Sequence, residues 1–101
     1  MSHRIRVAPQ AAAQIRAAAS WWRKNRTKAP EAFDDELERG FELASELPFA
    51  GETVSHPKLA GIRRVLLGRV RYHLYYHWSD EAETVDILAL WHTSRGSAPD
   101  L

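Results

Sequence analysis

The chain has 101 residues, a formal net charge of +1, 45% apolar and 27% charged residues, and no cysteine. That length supports one domain with a single core, here residues 1–101, and the missing cysteines exclude disulfides and thiolate metal sites. No apolar run approaches the ~18 residues of a membrane span, and the opening "MSHRIRVAP" lacks the apolar segment of a signal peptide, so a cytoplasmic protein is expected.

The first predicted element is a short strand, "HRIRVA", in which Ile5 and Val7 alternate with charge. Pro9 then stands where a helix tolerates proline, in the first turn. Ala11, Ala12, Ile15, Ala18, Ala19 and Trp22 follow helical spacing to about Arg26, with Trp21 at the margin of that stripe. "RTKAP" breaks the pattern, and Pro30 is read as opening a second helix. Phe33, Leu37, Phe41, Ala44 and Leu47 mark its buried face, and Glu31, Asp34, Asp35 and Glu36 crowd its positive end. Two amphipathic helices joined by so short a link form an antiparallel hairpin. Pro48 ends the second helix, and "PFAGETVSHPKLAG" reads as a loop.

From Ile62 the pattern is extended. "IRRVLL" is a strand, and Gly68-Arg69 marks a tight turn. In "VRYHLYYHW" Val70, Tyr72, Leu74, Tyr76 and Trp78 point one way and Arg71, His73, Tyr75 and His77 the other. "SDEAE" turns the chain into "TVDILALWH", apolar on both faces as an interior strand is. The expected fold is therefore α+β, in the order β-α-α-β-β-β. The helical hairpin covers one face of an antiparallel sheet. Trp22, Phe33, Leu37, Phe41, Leu74, Tyr76 and Ile87 are its expected core.

The small net charge conceals blocks. Residues 1–28 hold seven Lys/Arg and no acid; residues 29–55 hold eight acids against Arg39 alone. Residues 56–78 hold five bases and no acid, and residues 79–101 hold five acids against Arg95. Such blocks pair with one another inside the fold or leave local fields at the surface. The basic block 56–78 is the surface expected to meet an anionic partner. Arg63 and Arg64, being adjacent, point to opposite faces of their strand. One is expected to pair with an acid such as Glu38 or Glu42, leaving the other free. His73 and His77 share a face but lie ~13 Å apart, too far to ligate one metal.

Taken together, "SWWRKNRTKAPEAFDDEL", the "LPFAG" stop, "GIRRVLLGRVRYHLYYHW" and "VDILALWHTSRG" resemble the RelE/ParE toxins of bacterial type II toxin–antitoxin modules, over roughly residues 4–97. The resemblance implies a β-α-α-β-β-β fold and a cognate antitoxin that wraps and silences the toxin in a hetero-oligomer. It implies no cofactor, metal or membrane. ParE-like members inhibit DNA gyrase without chemistry; RelE-like members are endoribonucleases acting on messenger RNA in the ribosome. RNA cleavage requires a base for the 2′-hydroxyl, an acid for the leaving oxygen and cations on the developing phosphorane. His92, Arg95, Arg64, Arg71 and Tyr75, with His73 as a further proton carrier, are the residues that could supply them. The only lysines, Lys24, Lys28 and Lys58, lie off the expected strands, where a lysine-dependent ribonuclease would need one. The His92-x-x-Arg95 spacing instead resembles the strand-end pattern of ParE-like members. The favoured reading is a ParE-like gyrase inhibitor with target-binding residues Arg63, Arg64, Arg71, His73, Tyr75, His92 and Arg95. The alternative is a ribosome-dependent endoribonuclease, and a third reading is an antitoxin-binding module without activity.

Overall fold

The structure, a computed structural model, describes residues 3–101. In chain order these form β1 (Arg4–Val7), α1 (Pro9–Asn25), α2 (Ala32–Glu46), a 3-10 turn (Pro48–Ala50), β2 (Glu52–Val54), β3 (Ile62–Leu67), β4 (Tyr72–Ser79) and β5 (Thr84–His92). Pro9 is the first residue of α1, and Arg23 and Lys24 lie in its last turn, against the negative end of the helix dipole. α2 begins at Ala32, not at Pro30. Pro30 belongs to the preceding turn, where the Ala32 N–H donates to Ala29 O at 3.2 Å. The Trp22 indole N–H donates to the same carbonyl at 2.7 Å and ties the end of α1 to the link.

The sheet order is β1-β5-β4-β3-β2. The α+β plan and the helical pair on one face are as expected, with two corrections. β1 pairs with β5 in parallel, so the sheet is mixed. The four residues of β1 alternate identically in either direction, so their sequence does not disclose which way they run. The ion pair from Arg6 Nε to Asp86 Oδ1 at 2.7 Å follows from their being register partners in that pairing. Second, Glu52–Val54, read as loop, form β2 against β3.

Phe33, Leu74, Tyr76, Val85 and Ile87 are buried between helices and sheet, and Trp22, Leu37 and Phe41 are half-buried at the border of that core. Small residues set the helix-to-sheet distance. Ala11 and Ala18 of α1 are buried, and a Cβ placed on Gly40 of α2 would meet Leu67 Cδ2 at 2.8 Å. Leu47 is not in the core as expected. It caps the end of α2 with φ −131°, beyond the last helical turn, and is 45% exposed.

β5 opposes β4 with a break in register. Tyr75 faces Ala89, Tyr76 faces Ile87, and Leu88 has no opposite number. This bulge lets Leu88 and Ala89 both join a second apolar cluster on the far face of the sheet, with Ile62, Tyr75 and Trp91. It also puts Ile87 and Leu90 together on the helix side, three residues apart.

One buried tie joins the segment that leaves α2 to the sheet. The Tyr76 hydroxyl donates to Pro48 O at 2.7 Å and accepts the Gly51 N–H at 3.1 Å. A side chain at position 51 would collide with that hydroxyl, so only glycine fits. Tyr76→Phe keeps the ring but strands a buried carbonyl and a buried N–H, and is expected to cost roughly 1–3 kcal/mol. Urea unfolding of both chains measures it; equal midpoints would show that the tie contributes nothing.

Candidate functional site

On the sheet face turned away from the helices, β3 and β4 place Arg64 directly opposite Tyr75, and β4 and β5 place His73 opposite Trp91. The segment after β5 then folds back over this face. Arg95 N–H closes a turn on His92 O at 3.2 Å, and the Trp91 indole N–H holds Ser97 O at 2.7 Å. The result is a cleft of about 220 Å³ lined by Arg64, His73, Tyr75, Trp91, His92, Thr93 and the segment 95–98.

Its side chains hold one another. Arg64 Nη1 donates to Tyr75 Oη at 3.0 Å and its Nε pairs with Glu52, the register partner from β2. Both bonds stabilise the guanidinium, Tyr75 more than Glu52, and raise its already high pKa. The Arg95 guanidinium lies 4.0 Å from the centre of the Trp91 ring, a close cation–π contact. The cleft thus carries two cations, and its nearest acid, Glu52, is already paired.

His92 ends β5 on the helix side, its ring edge-on to Tyr72 at 4.9 Å. Its Nδ1 accepts the Ser94 N–H at 3.1 Å and lies 2.7 Å from Ser94 Oγ. In this arrangement Nδ1 carries no proton, and Nε2–H is left to donate outward. His73 packs edge-on to Tyr75 at 6.2 Å. Burial, reinforced by the Arg64 charge, holds its pKa below the ordinary histidine range.

Of the seven residues expected to act together, Arg64, His73, Tyr75, His92 and Arg95 line this cleft. Arg63 and Arg71 do not. Arg63 lies on the opposite side of β3 and donates to Gly51 O at 2.8 Å. Arg71 is not on a strand but ends the β3–β4 turn with φ +68°, and its carbonyl accepts the Thr93 N–H at 2.9 Å. Neither adjacent arginine pairs with Glu38 or Glu42, because β2 delivers Glu52 to Arg64 first. Tyr75, expected on a polar surface, is 3% exposed and presents its oxygen to Arg64. Trp91 and Glu52 also belong to this site and are not among the residues expected from the sequence. The tryptophan four residues before Arg95 was the available clue for the first, while a three-residue strand inside loop-like sequence offered none for the second.

Residues 5–96 match the model of the ParE toxin of type II toxin–antitoxin systems, parDE. The chain belongs to the ParE toxin family. Among solved structures it is similar to the chromosomal ParDE toxin–antitoxin system from P. aeruginosa, with TM-score 0.68, 17% identity and coverage of 90% of this chain and 96% of that one. It is also similar to the RelBE2 toxin–antitoxin complex from Mycobacterium tuberculosis, with TM-score 0.64, 24% identity and coverage of 91% and 99%. Both likenesses concern the fold. No curated protein sequence gives a significant match.

The depressed pKa of His73 has a consequence for stability. The unfolded ring takes a proton near the ordinary value of 6.5, whereas the folded ring resists it until lower pH. Protonation therefore favours the unfolded chain. Stability is full above about pH 6.5 and falls as pH drops toward the folded value. His73→Gln, which cannot titrate, is expected to flatten this part of the profile. Denaturant midpoints measured from pH 7.5 to pH 5 decide it, and parallel profiles for the two chains would refute it.

Proposed function

We propose that this chain is the toxin of a type II toxin–antitoxin module, acting on DNA gyrase by binding and silenced by a cognate antitoxin. The family match over residues 5–96 carries the reading. The state of His92 supports binding over catalysis. Its Nδ1 is occupied by Ser94, so the ring is set as a donor and not as a two-sided proton relay. A cleft of two guanidiniums and stacked aromatic rings suits a protein or nucleic-acid surface of opposite charge.

A second reading keeps a specific observation in its favour. His73, with its lowered pKa, is neutral near pH 7 beside the cations Arg64 and Arg95, as a general base for RNA cleavage would be. Induction in cells separates the two: gyrase-dependent DNA breakage supports inhibition of gyrase, and ribosome-bound transcript cleavage supports the endoribonuclease. His92→Gln retains a donor without titration, so a gyrase inhibitor is expected to keep most of its toxicity, whereas Arg95→Ala weakens target binding. Were the chain a ribonuclease using His92, the same change would cut cleavage by ~10²–10⁴-fold.

The antitoxin tail, in this proposal, crosses the β3 side of the molecule and the helical pair. Arg64 and Arg71 are its cationic anchors. Exposed Leu43 and Leu66, which line a shared groove between α2 and β3, receive its apolar side chains. Arg64 exchanges its partly exposed Glu52 partner for a carboxylate of the tail, whereas Arg63, held on the backbone oxygen of Gly51 on the opposite side of β3, is not needed. Arg64→Glu combined with Arg71→Glu is expected to slow association and reduce its salt dependence. Unchanged association kinetics in the double variant would remove the tail from this surface.

A further inference from the structure

A different opening lies on the helix side, between the end of α1 and the ends of β4 and β5. Two adjoining clefts, of about 350 and 240 Å³, share Trp21 and Tyr72 as lining residues. The first is also lined by Arg26, His92 and Ser94, and the second by Arg95 with Leu90 and the Gln14, Ala17 and Ala18 side of α1. The two volumes together fall in the range of small-ligand sites, roughly 300–1,000 Å³.

Three properties distinguish this opening from ordinary surface. Trp21 is 47% exposed, and with Arg26 over its ring it presents part of the indole to solvent beside a cation. Both cations are held by aromatic faces and not by acids. Arg26 sits 5.1 Å from the Trp21 ring centre and 5.8 Å from that of Trp22, and Arg95 sits over Trp91. Among the described residues neither has a carboxylate partner, and no carboxylate lines either cleft. Third, the donors are oriented. Ser94 leaves the His92 Nε2–H outward and unpartnered among the described residues. Burial keeps the Tyr72 phenol above its ordinary range, hence protonated and able to donate, though the Arg95 charge partly opposes this.

A partly exposed indole, guanidiniums held by ring faces and, for Arg26, by Asn25 O but by no carboxylate, and aimed N–H and O–H donors select a flat ring that carries an anion. We propose that this cleft binds a nucleotide, its base stacked on Trp21 and its phosphate held by Arg26 or Arg95. Base–aromatic stacking is tolerant of which base is present, and a guanidinium meets phosphate through two parallel hydrogen bonds. A peptide would seek a sheet edge or a long apolar stripe, and the clefts offer neither. The nucleotide can be free or part of a single strand, since both present the same ring and phosphate. The inference does not rest on gyrase as the target, because it concerns the isolated chain.

Calorimetric titration of the full chain tests it, with adenosine 5′-monophosphate, adenosine, inorganic phosphate and a short single-stranded oligodeoxynucleotide as probes. The expected result is saturable binding of the monophosphate, tighter than adenosine or phosphate alone. Trp21→Ala and Arg26→Ala should each weaken it by roughly tenfold or more. Both positions are exposed, and circular dichroism melting confirms that each variant is folded. Arg23→Ala, on the same helix but outside the cleft, should leave binding unchanged. Tighter binding of the oligonucleotide than of the monophosphate supports the site as one for a strand; the reverse supports a free nucleotide. The proposal is overturned if no probe saturates, if phosphate alone binds as well as the nucleotide, or if Arg23→Ala costs as much as Arg26→Ala. It is equally overturned if a peptide bearing adjacent tryptophan and glutamate occupies the cleft while the nucleotide does not.

Discussion

Much of this structure depends on where one hydroxyl group finds its partners. Tyr76 lies in the middle of the sheet with no exposed surface, and a buried phenol left unbonded would be costly. It is satisfied by Pro48 O and the Gly51 N–H, which belong to the segment leaving α2. That bond fixes where the helical layer hands the chain back to the sheet. Gly51 O in turn receives Arg63, and the next residues run straight into β2. Glu52 therefore arrives opposite Arg64, and Arg64 is steered onto Tyr75. The far-face cleft is thus linked, through adjacent residues Gly51 and Glu52, to a core hydrogen bond on the other side of the sheet.

The bulge at Leu88 is the second constraint, and it separates two functions that strict alternation would have mixed. Continuing the phase of Val85 and Ile87 would place Trp91 toward the helices and His92 away from them. One unpaired residue reverses this. Trp91 joins the far-face cleft with Arg95 stacked on it, while His92 rests against Tyr72 near α1. The strand end thus serves both faces, with the His92–Arg95 turn as the corner between them. A bulge beside a site that must aim side chains two ways is a common use of that irregularity.

The charge blocks find their partners mostly across strands. Arg6 meets Asp86 across the parallel pair, and Arg64 meets Glu52 across the antiparallel one. Both links join different blocks of the sequence, and both are partly exposed, so each contributes modestly to stability. Their larger consequence is what remains. Arg26, Arg71 and Arg95 keep no carboxylate among the described residues, and they lie around the corner where β4 begins and β5 ends. The surplus of positive charge is therefore local even though the whole chain is nearly neutral.

Helical spacing of Ala11, Ala18, Phe33 and Ala44, and the alternation of Tyr72, Leu74 and Tyr76, were enough to define the two helices, the principal strands and the core. Each is a local pattern whose period matches the element that buries it. The order and spacing of the quoted stretches from Ser20 to Gly96, taken together, were enough to suggest the RelE/ParE toxins. Everything that hangs on contacts between distant segments was decided only in the folded chain. The direction of β1 depends on which strand it meets, and β2 exists because β3 is there to pair with three otherwise loop-like residues. The partner of Arg64 follows from that pairing, and the bulge from competition between two apolar faces for Leu88 and Ala89. Trp21, at the margin of a helical stripe in the sequence, became the exposed wall of a cleft only once Tyr72 and His92 were set across from it. A periodic pattern records which face of an element is buried, but not which neighbour buries it, and that neighbour determines a site.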